Sequence, residues 1–293
     1  MWRQFTFSVV DNLADPLSDA LSELGALSVS LEDDGDQPLF EPKPGETPLW
    51  RTTRVTGLFE AGVDASAVRA ALASQFSAEV LASLVVSELA DQVWERAWLE
   101  HFKPMRFGER LWVCPSGFEL PDPDAVNIIL DPGLAFGTGT HPTTALCLEW
   151  LATQSLEGKT VIDYGCGSGI LAVAALKLGA ARALGVDLDP QALTASAENA
   201  RKNGVDDRLT LFLPGQLGQV MADVLVANIL AGPLIGLADI LSMRLTMGGT
   251  IALSGILAGQ APEVARAYQA CMALLPPVQR EDWVLLSGRK VAD

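Results

Sequence analysis

The first ninety residues contain two segments in which the same hydrophobic patterns follow one another in the same order. Residues 4–10 and 27–31 alternate apolar and polar side chains, as strands do, and residues 16–24 between them have helical spacing. Residues 54–60, 64–76 and 81–89 repeat this order of strand, helix and strand. Two such units in succession are typical of a ferredoxin-like sandwich, so we predict a small α+β domain over residues 1–90.

Two further segments lie between the predicted elements. Residues 33–48 are dense in Pro, Gly and acidic residues and are predicted to be a long loop, favoured as a solvated connector over a substrate-contacting segment. Residues 91–103 place Trp94 and Trp98 on one helical stripe that ends before Pro104. We interpret this second segment as a linker helix, and packing between domains is favoured over a ligand cage as the role of its two tryptophans.

A different pattern begins near residue 127. Continuous apolar runs, each followed by a helical segment, occur at residues 161–162, 183–186, 224–227 and 251–254. Strands that are apolar on both faces and alternate with helices indicate a parallel sheet that is covered on both sides. We therefore predict a doubly wound, Rossmann-like α/β domain over residues 104–293, with a last strand over residues 283–287 that we expect to be antiparallel.

The amino-acid composition limits the classes of molecule that the protein is expected to bind. The 293 residues carry a formal net charge of -16, and 49% of them are hydrophobic, which predicts a folded globular protein. The negative field disfavours direct binding to nucleic acid and favours a basic protein or a cationic small molecule, although an acidic surface also serves solubility alone.

Patterns that the sequence lacks bear on the metal content, compartment and assembly expected for the protein. The Cys and His residues have no metal-ligand spacing, and the N-terminus lacks a signal-peptide pattern. The most apolar stretch, residues 224–238, is interrupted by Gly232 and Pro233 and is too short for a membrane span. The sequence contains no heptad repeats that would indicate oligomerisation. We expect a cytoplasmic monomer without a metal or a membrane partner.

The glycine-rich segment after the first of these apolar runs is the first candidate site. It contains Asp163, Gly165, Gly167 and Gly169 and leads into a predicted helix at Ile170. Glycines allow a tight turn and the close approach of a ligand to backbone amides. A dinucleotide fingerprint would have its last glycine at position 170, whereas this spacing, with an acidic residue ahead of it, resembles class I methyltransferases. Asp163 suits a cationic group such as the ammonium of S-adenosyl-L-methionine and would repel a pyrophosphate.

Asp187 follows the next apolar run, where a carboxylate can accept hydrogen bonds from both ribose hydroxyls. Enzymes that bind NAD share this feature, so it indicates an adenosine-type ligand without identifying the cofactor. Asp189, which precedes Pro190, is interpreted as a helix cap.

Asn228 ends a third apolar run, at the edge where open α/β sheets bind ligands. Its side-chain oxygen and nearby carbonyls can accept N–H bonds from an amine and orient the amine's lone pair. The segment from Asn228 to Ala231 resembles the Asn-Pro-Pro-Tyr motif of amino-group methyltransferases but lacks its aromatic residue. The alternative is an asparagine that caps the helix beginning near Pro233.

Residues 130–144 form a glycine-rich segment that leads into another predicted helix. Phe136 and several hydroxyl groups in this segment can fold over a flat, polar ligand, and Gly137 and Gly139 supply hinge freedom. His141 precedes Pro142 at the start of the helix, so a structural cap is as good an interpretation as a base. We assign His141 no catalytic role.

Together these segments resemble the bacterial methyltransferases that modify large-subunit ribosomal protein L11, the PrmA type. The resemblance extends over nearly the whole chain and lies in residues 41–42, 44–46, 104–112, 130–144, 161–174, 185–190 and 226–233. Its most specific parts are Ala-Phe-Gly-Thr-Gly-Thr-His-Pro-Thr-Thr at 135–144 and Ala-Asn-Ile-Leu-Ala at 227–231. The main departure is Tyr164, where Phe or Leu is common.

This resemblance implies methylation of lysine side chains and the N-terminal α-amine of a basic ribosomal protein, with S-adenosyl-L-methionine as cofactor. It implies that the N-terminal domain recognises the substrate and that the cofactor is bound by Thr144, Gly165, Asp187 and Asn228. The patterns above add Asp163, Gly167 and Phe136 to the predicted cofactor site. Asn228 is also the predicted catalytic residue, because it would orient the amine.

Other functional classes remain open at this point. A small-molecule amine methyltransferase would share the second domain but gives the ferredoxin-like domain no role. A nucleic-acid methyltransferase would share Asn228, but the net charge of -16 opposes it. A nonenzymatic sensor of an adenosine ligand is opposed by the intact amine-accepting motif.

Overall fold

The computed structural model describes residues 1–37, 39, 48–89, 103–131 and 141–291. The chain divides into two compact units, Met1–Ala97 and Trp98–Asp293. The predicted linker helix and most of the predicted loop over 33–48 lie outside the described residues, so the predicted domain boundaries stay predictions. None of the helices in the described segments is long and apolar enough to cross a membrane.

In its described residues, the N-terminal unit has a four-stranded antiparallel sheet and three helices. Its elements are β1 (Trp2–Val10), α1 (Asp11–Glu23), β2 (Ser28–Asp33), β3 (Thr52–Glu60), α2 (Ala65–Leu72), α3 (Ala78–Ala82) and β4 (Val85–Leu89). The strand order β2-β3-β1-β4 is that of the predicted ferredoxin-like sandwich. The last strand is shorter than predicted, because Ser77 accepts a hydrogen bond from the Val80 amide and begins α3 where a strand was expected.

Alternating side chains of β1 and β3 form the core of this unit. Phe5, Phe7 and Phe59 are fully buried, and the rings of Phe5 and Phe59 meet edge to face at 5.0 Å between centroids. Leu17 and Leu21 of α1 pack in the same cluster, as the helical spacing of this segment predicts.

The C-terminal unit consists of a large sheet between two layers of helices, preceded by a small sheet. Its elements are β5 (Met105–Phe107), β6 (Leu111–Cys114), β7 (Val126–Ile129), α4 (Pro142–Thr153), β8 (Thr160–Tyr164), α5 (Ile170–Lys177), β9 (Arg182–Val186), α6 (Pro190–Lys202), β10 (Leu209–Phe212), β11 (Ala222–Asn228), α7 (Ala231–Gly236), α8 (Ala238–Met243), β12 (Leu245–Leu257), α9 (Ala261–Tyr268), β13 (Met272–Leu274), β14 (Val278–Arg280) and β15 (Trp283–Lys290). The small sheet has the order β5-β6-β7, and the large one has the order β10-β9-β8-β11-β12-β15-β13, with β14 paired to β15.

The large sheet is doubly wound, as predicted. Strands β8 to β12 pair in parallel, and β15 pairs antiparallel to β12. Neighbouring strand residues bury opposite faces: Val161 packs in the same cluster as α4 and α5, and Ile162 packs in the cluster of α7, α8 and α9. This arrangement explains why the strands are continuous apolar runs.

Candidate functional site

Three of the predicted site residues meet at the carboxyl edge of the large sheet. Asp163 of β8 is in register with Gly185 of β9 and with Val226 of β11. Asp187 directly follows β9, and Asn228 is the last residue of β11. Parallel strands end at the same edge, so segments far apart in sequence are collected in one place.

The turn after β8 requires glycine for two reasons. Gly165, Gly167 and Gly169 have φ angles of 81°, 53° and 76°, which L side chains rarely adopt. In addition, a Cβ on Gly165 would lie 2.2 Å from the Cγ2 of Ile229, and one on Gly169 would lie 2.8 Å from the Oγ of Ser196. The loop therefore packs directly against α6 and against the segment that follows Asn228.

Helix α6 holds this loop through polar side chains that the sequence reasoning missed. The Ser196 hydroxyl donates to the Gly167 carbonyl at 2.9 Å, and the Asn199 amide donates to the Ser168 carbonyl at 2.8 Å. Asn203 exchanges two hydrogen bonds of 2.8 Å with the backbone of Ile129. The signal was present for the first two, since Ser196 and Asn199 are three positions apart and lie on one side of α6, whereas Asn203 is the C-cap of this helix.

Asp187 lies beside the glycine loop and also accepts a hydrogen bond from it. Its Oδ2 accepts from the Gly167 amide at 2.8 Å, and its Oδ1 accepts from the Asp189 amide at 3.0 Å. The half-buried carboxylate retains acceptor capacity on both oxygens. Asp189 caps α6 by accepting from the Gln191 amide at 2.8 Å, which confirms the predicted cap.

Asp163 lies fully buried at the end of β8. Its Oδ2 accepts a hydrogen bond from the Ala172 amide at 3.0 Å, whereas its Oδ1 is a buried oxygen without a hydrogen-bond partner in the described structure. Burial raises the pKa of this carboxyl to about 7, the Ala172 amide opposes the rise and the Asp187 carboxylate adds to it. A buried carboxylate oxygen without a partner is an acceptor that suits a cationic ligand group, and the cofactor-binding role of Asp163 stays a prediction.

The side chain of Asn228 is oriented by Thr144. The Asn228 Nδ2 donates to the Thr144 Oγ1 at 3.2 Å, across 84 positions of sequence, and Thr144 is fully buried in the first turn of α4. With the amide nitrogen so engaged, the Oδ1 of the half-buried Asn228 retains its capacity to accept. The alternative that Asn228 caps the following helix is wrong, because the N-cap residue of α7 is Leu230.

The end of β12 packs against the residues next to Asn228 and Thr144. Gly255, with φ of +82°, would place a Cβ 2.4 Å from the Ile229 carbonyl oxygen, and the pairing of β12 with β15 is irregular at this point. The hydroxyl of the fully buried Ser254 donates to the Thr143 carbonyl at 3.2 Å. Strand β12 thus fixes the segment after Asn228 and the first turn of α4.

His141 is the N-cap of α4. Its Nδ1 accepts from the Thr143 amide at 3.4 Å and lies 2.8 Å from the Thr143 Oγ1. The imidazole meets the Trp283 ring edge to face at 4.9 Å. Burial lowers the pKa of His141, and the Glu281 carboxylate opposes this effect. The structure therefore supports the interpretation of His141 as a cap, whereas Phe136 lies outside the described residues and its role stays a prediction.

The chain is similar to known proteins over nearly its whole length. Residues 1–291 match the family described as "Ribosomal protein L11 methyltransferase (PrmA)". A protein of this name from Methylococcus capsulatus is 59% identical over 289 residues, covering 98% of this chain and 99% of the relative. One from Escherichia coli O81 is 55% identical over 290 residues, covering 99% of each.

A solved structure shows the same similarity in three dimensions. The crystal structure of a ribosomal protein L11 methylase from Lactobacillus delbrueckii subsp. bulgaricus is 32% identical and superposes with a TM-score of 0.60. The superposition covers 65% of this chain and 100% of that one.

Proposed function

The chain belongs to the ribosomal protein L11 methyltransferase (PrmA) family, and from this membership we propose that it transfers methyl groups from S-adenosyl-L-methionine to amino groups of ribosomal protein L11. The acceptors in this proposal are lysine side chains and the N-terminal α-amine. The observation that carries the chemistry is the Asn228–Thr144 hydrogen bond, which leaves an amide oxygen available beside the glycine loop.

The residues at the sheet edge fit the proposed cofactor. Asp187 and the amides of the loop suit the ribose and its surroundings, and the buried Asp163 suits the ammonium group. Thr144 accepts from Asn228, so its own hydroxyl proton can still be donated to a ligand carboxylate. In the proposed site these residues act together with Gly165, Gly167, Asn228 and Phe136. When bound, the cofactor supplies a methyl group activated by its sulfonium.

The protein's contribution to the transfer is to bind and orient a neutral amine. The Asn228 Oδ1 accepts an N–H bond from the amine, and Thr144 keeps the amide plane in the orientation that permits this. A lysine with a reference pKa of about 10.4 is neutral in on the order of one part in a thousand at neutral pH, so its deprotonation costs roughly 4 to 5 kcal/mol. Of the described groups at the site, the His141 Nδ1 accepts the helix-capping bond and Asp163 is assigned to the cofactor's ammonium, so we infer that the proton leaves to water before the attack.

A basic protein substrate agrees with the charge and with the two-unit organisation. The net charge of -16 attracts a basic partner and opposes binding to RNA. The N-terminal unit is proposed to recognise the substrate, a role that a small-molecule amine methyltransferase would not require. A ribosomal-protein substrate supports a cytoplasmic location for the proposed reaction.

The first experiment identifies the acceptor. The protein is incubated with radiolabelled S-adenosyl-L-methionine and a lysate of bacteria that lack this methyltransferase, or with purified unmethylated L11. Label should enter one small basic protein, and peptide mapping should place it on amines. Label in RNA or in metabolites, or no transfer at all, would contradict the proposal.

The second experiment tests Asn228. Asn228→Ala should lower kcat about 10²-fold, because an unoriented amine seldom reaches the attack geometry. The Kd for S-adenosylhomocysteine should rise only about fivefold or less, the equivalent of one neutral hydrogen bond of ~1 kcal/mol. Gln269→Ala, which removes an amide side chain at the exposed C-terminal end of α9, is the control and should leave both values unchanged. Normal turnover in Asn228→Ala would show that the amide does not orient the amine.

A further inference from the structure

Asp163 combines complete burial with incomplete hydrogen bonding. The side chain has no exposed surface, and its Oδ2 accepts from the Ala172 amide. The Oδ1 is the buried side-chain oxygen that lacks a hydrogen-bond partner in the described structure. An ionised carboxylate in such a position is unfavourable unless a cation or further donors compensate its charge.

The groups that face Asp163 do not supply this compensation. The carboxylate of Asp187, on the neighbouring strand end, acts on Asp163 as a like charge. The thiols of Cys147 in α4 and Cys166 in the glycine loop also lie within electrostatic range, and burial, followed by the charge of Asp163, raises the pKa of both. Both thiols are therefore neutral near pH 7, and the Ala172 amide is the group that favours the ionised form.

We propose that Asp163 holds a proton in the cofactor-free protein and releases it to solvent when the ammonium group of the cofactor binds. This inference rests on the proposed function, because the ammonium supplies the positive charge that the site otherwise lacks. The exchange is balanced: a neutral carboxyl and a cationic ligand become a carboxylate paired with an ammonium, and one proton enters the solvent.

The pH range in which ligand binding releases a proton follows from the raised pKa of Asp163. Burial raises the pKa of the free carboxyl to about 7, so at lower pH the free protein carries the proton and must lose it on binding. Binding that releases a proton is favoured by rising pH. Affinity for the ligand should therefore increase with pH up to about 7 and then level off, because above that pH the free carboxyl is already ionised.

Two ligands separate the ammonium from the rest of the cofactor. S-adenosylhomocysteine carries the amino-acid group, whereas 5′-methylthioadenosine retains the nucleoside and thioether but has no ammonium. Their binding is measured by isothermal titration calorimetry in two buffers with different ionisation enthalpies. The difference in binding enthalpy between the buffers, divided by the difference in ionisation enthalpy, gives the number of protons released.

The expected values follow from a free carboxyl that titrates at about 7. S-adenosylhomocysteine should release most of one proton at about pH 6 and clearly less at about pH 8. 5′-Methylthioadenosine should release none at either pH. The comparison needs no variant, so it stands even if a substitution at this buried site prevents folding.

A variant at Asp163 and a control variant test whether Asp163 is the source of the released proton. Asp163→Asn keeps the shape and the acceptor for the Ala172 amide but cannot ionise, so its binding of S-adenosylhomocysteine should release no proton. The difference between wild type and Asp163→Asn also removes any contribution from the ligand's own amine. Asp223→Asn is the control, since this half-buried carboxylate accepts from the Thr160 amide at the opposite end of β8 and should leave proton release unchanged.

Each contrary outcome has a distinct meaning. If S-adenosylhomocysteine binds at about pH 6 with no buffer dependence, Asp163 is already ionised, and the inference is wrong while the cofactor assignment stands. If Asp163→Asn releases the same number of protons as wild type, another group is the source and the inference is again wrong. If S-adenosylhomocysteine does not bind, the cofactor assignment fails and this inference fails with it.

Discussion

Gly255 is the position at which one added methyl group tests how firmly the Asn228 segment is held. Its Cβ would lie 2.4 Å from the Ile229 carbonyl oxygen and 2.8 Å from the carbonyl carbon. Ordinary contacts begin near 3.4 Å, so the backbone of Ile229 must move by about 1 Å in Gly255→Ala. Because Ile229 is bonded to Asn228, this displacement reaches the residue proposed to orient the amine.

The chain contains a control that separates the steric effect from backbone strain. Gly117 has φ of +84°, close to the +82° of Gly255, but a Cβ there would have no heavy atom within 4 Å. Gly117→Ala should therefore lose about 1 kcal/mol from the positive φ alone. Gly255→Ala should lose this and a further ~1 to 3 kcal/mol from overpacking.

Stability is measured by urea unfolding and activity by methyl transfer to purified L11. We expect Gly117→Ala to keep its kcat and Gly255→Ala to lose about 10²-fold, because a displacement of about 1 Å disturbs the attack geometry. Equal unfolding free energies for the two variants would refute the steric reasoning. A destabilised Gly255→Ala with normal kcat would show that the position of Ile229 does not control Asn228.

Two further predictions concern protons. The rate of transfer at saturating cofactor should rise between about pH 7 and 9 as more amine becomes neutral, and a flat profile would indicate that a group on the protein removes the proton. His141→Asn retains an N-cap that cannot titrate, whereas His141→Ala removes the cap and should cost about 1 kcal/mol. Because burial lowers the pKa of His141, the unfolded chain binds the proton more readily than the native protein. The unfolding free energy of wild type, relative to His141→Asn, should therefore fall as pH decreases below about 6.5, and parallel curves would contradict this linkage.

Much of the fold was predictable because its signals are local. Alternating residues in β1 indicate a strand with one buried face, whereas continuous apolar runs in β8 and β11 indicate strands that are buried on both faces. This difference distinguishes the N-terminal sheet from the large C-terminal sheet. The cap at Asp189 was predictable for the same reason, since a capping side chain bonds to an amide two positions away. The strand predicted over residues 81–89 was too long because α3 occupies its beginning.

Sequence patterns alone predicted most of the strands and helices, the parallel sheet and the carboxyl edge at which Asn228 lies. Only the tertiary structure showed that Thr144 orients Asn228, that Ser196 bonds to the glycine loop and that Gly255 contacts Ile229. It also revealed that one oxygen of Asp163 has no partner in the described structure. The physical reason is that a pattern along the chain reports which side of an element is buried, whereas hydrogen bonds and close contacts depend on distances between atoms that the chain brings together only on folding.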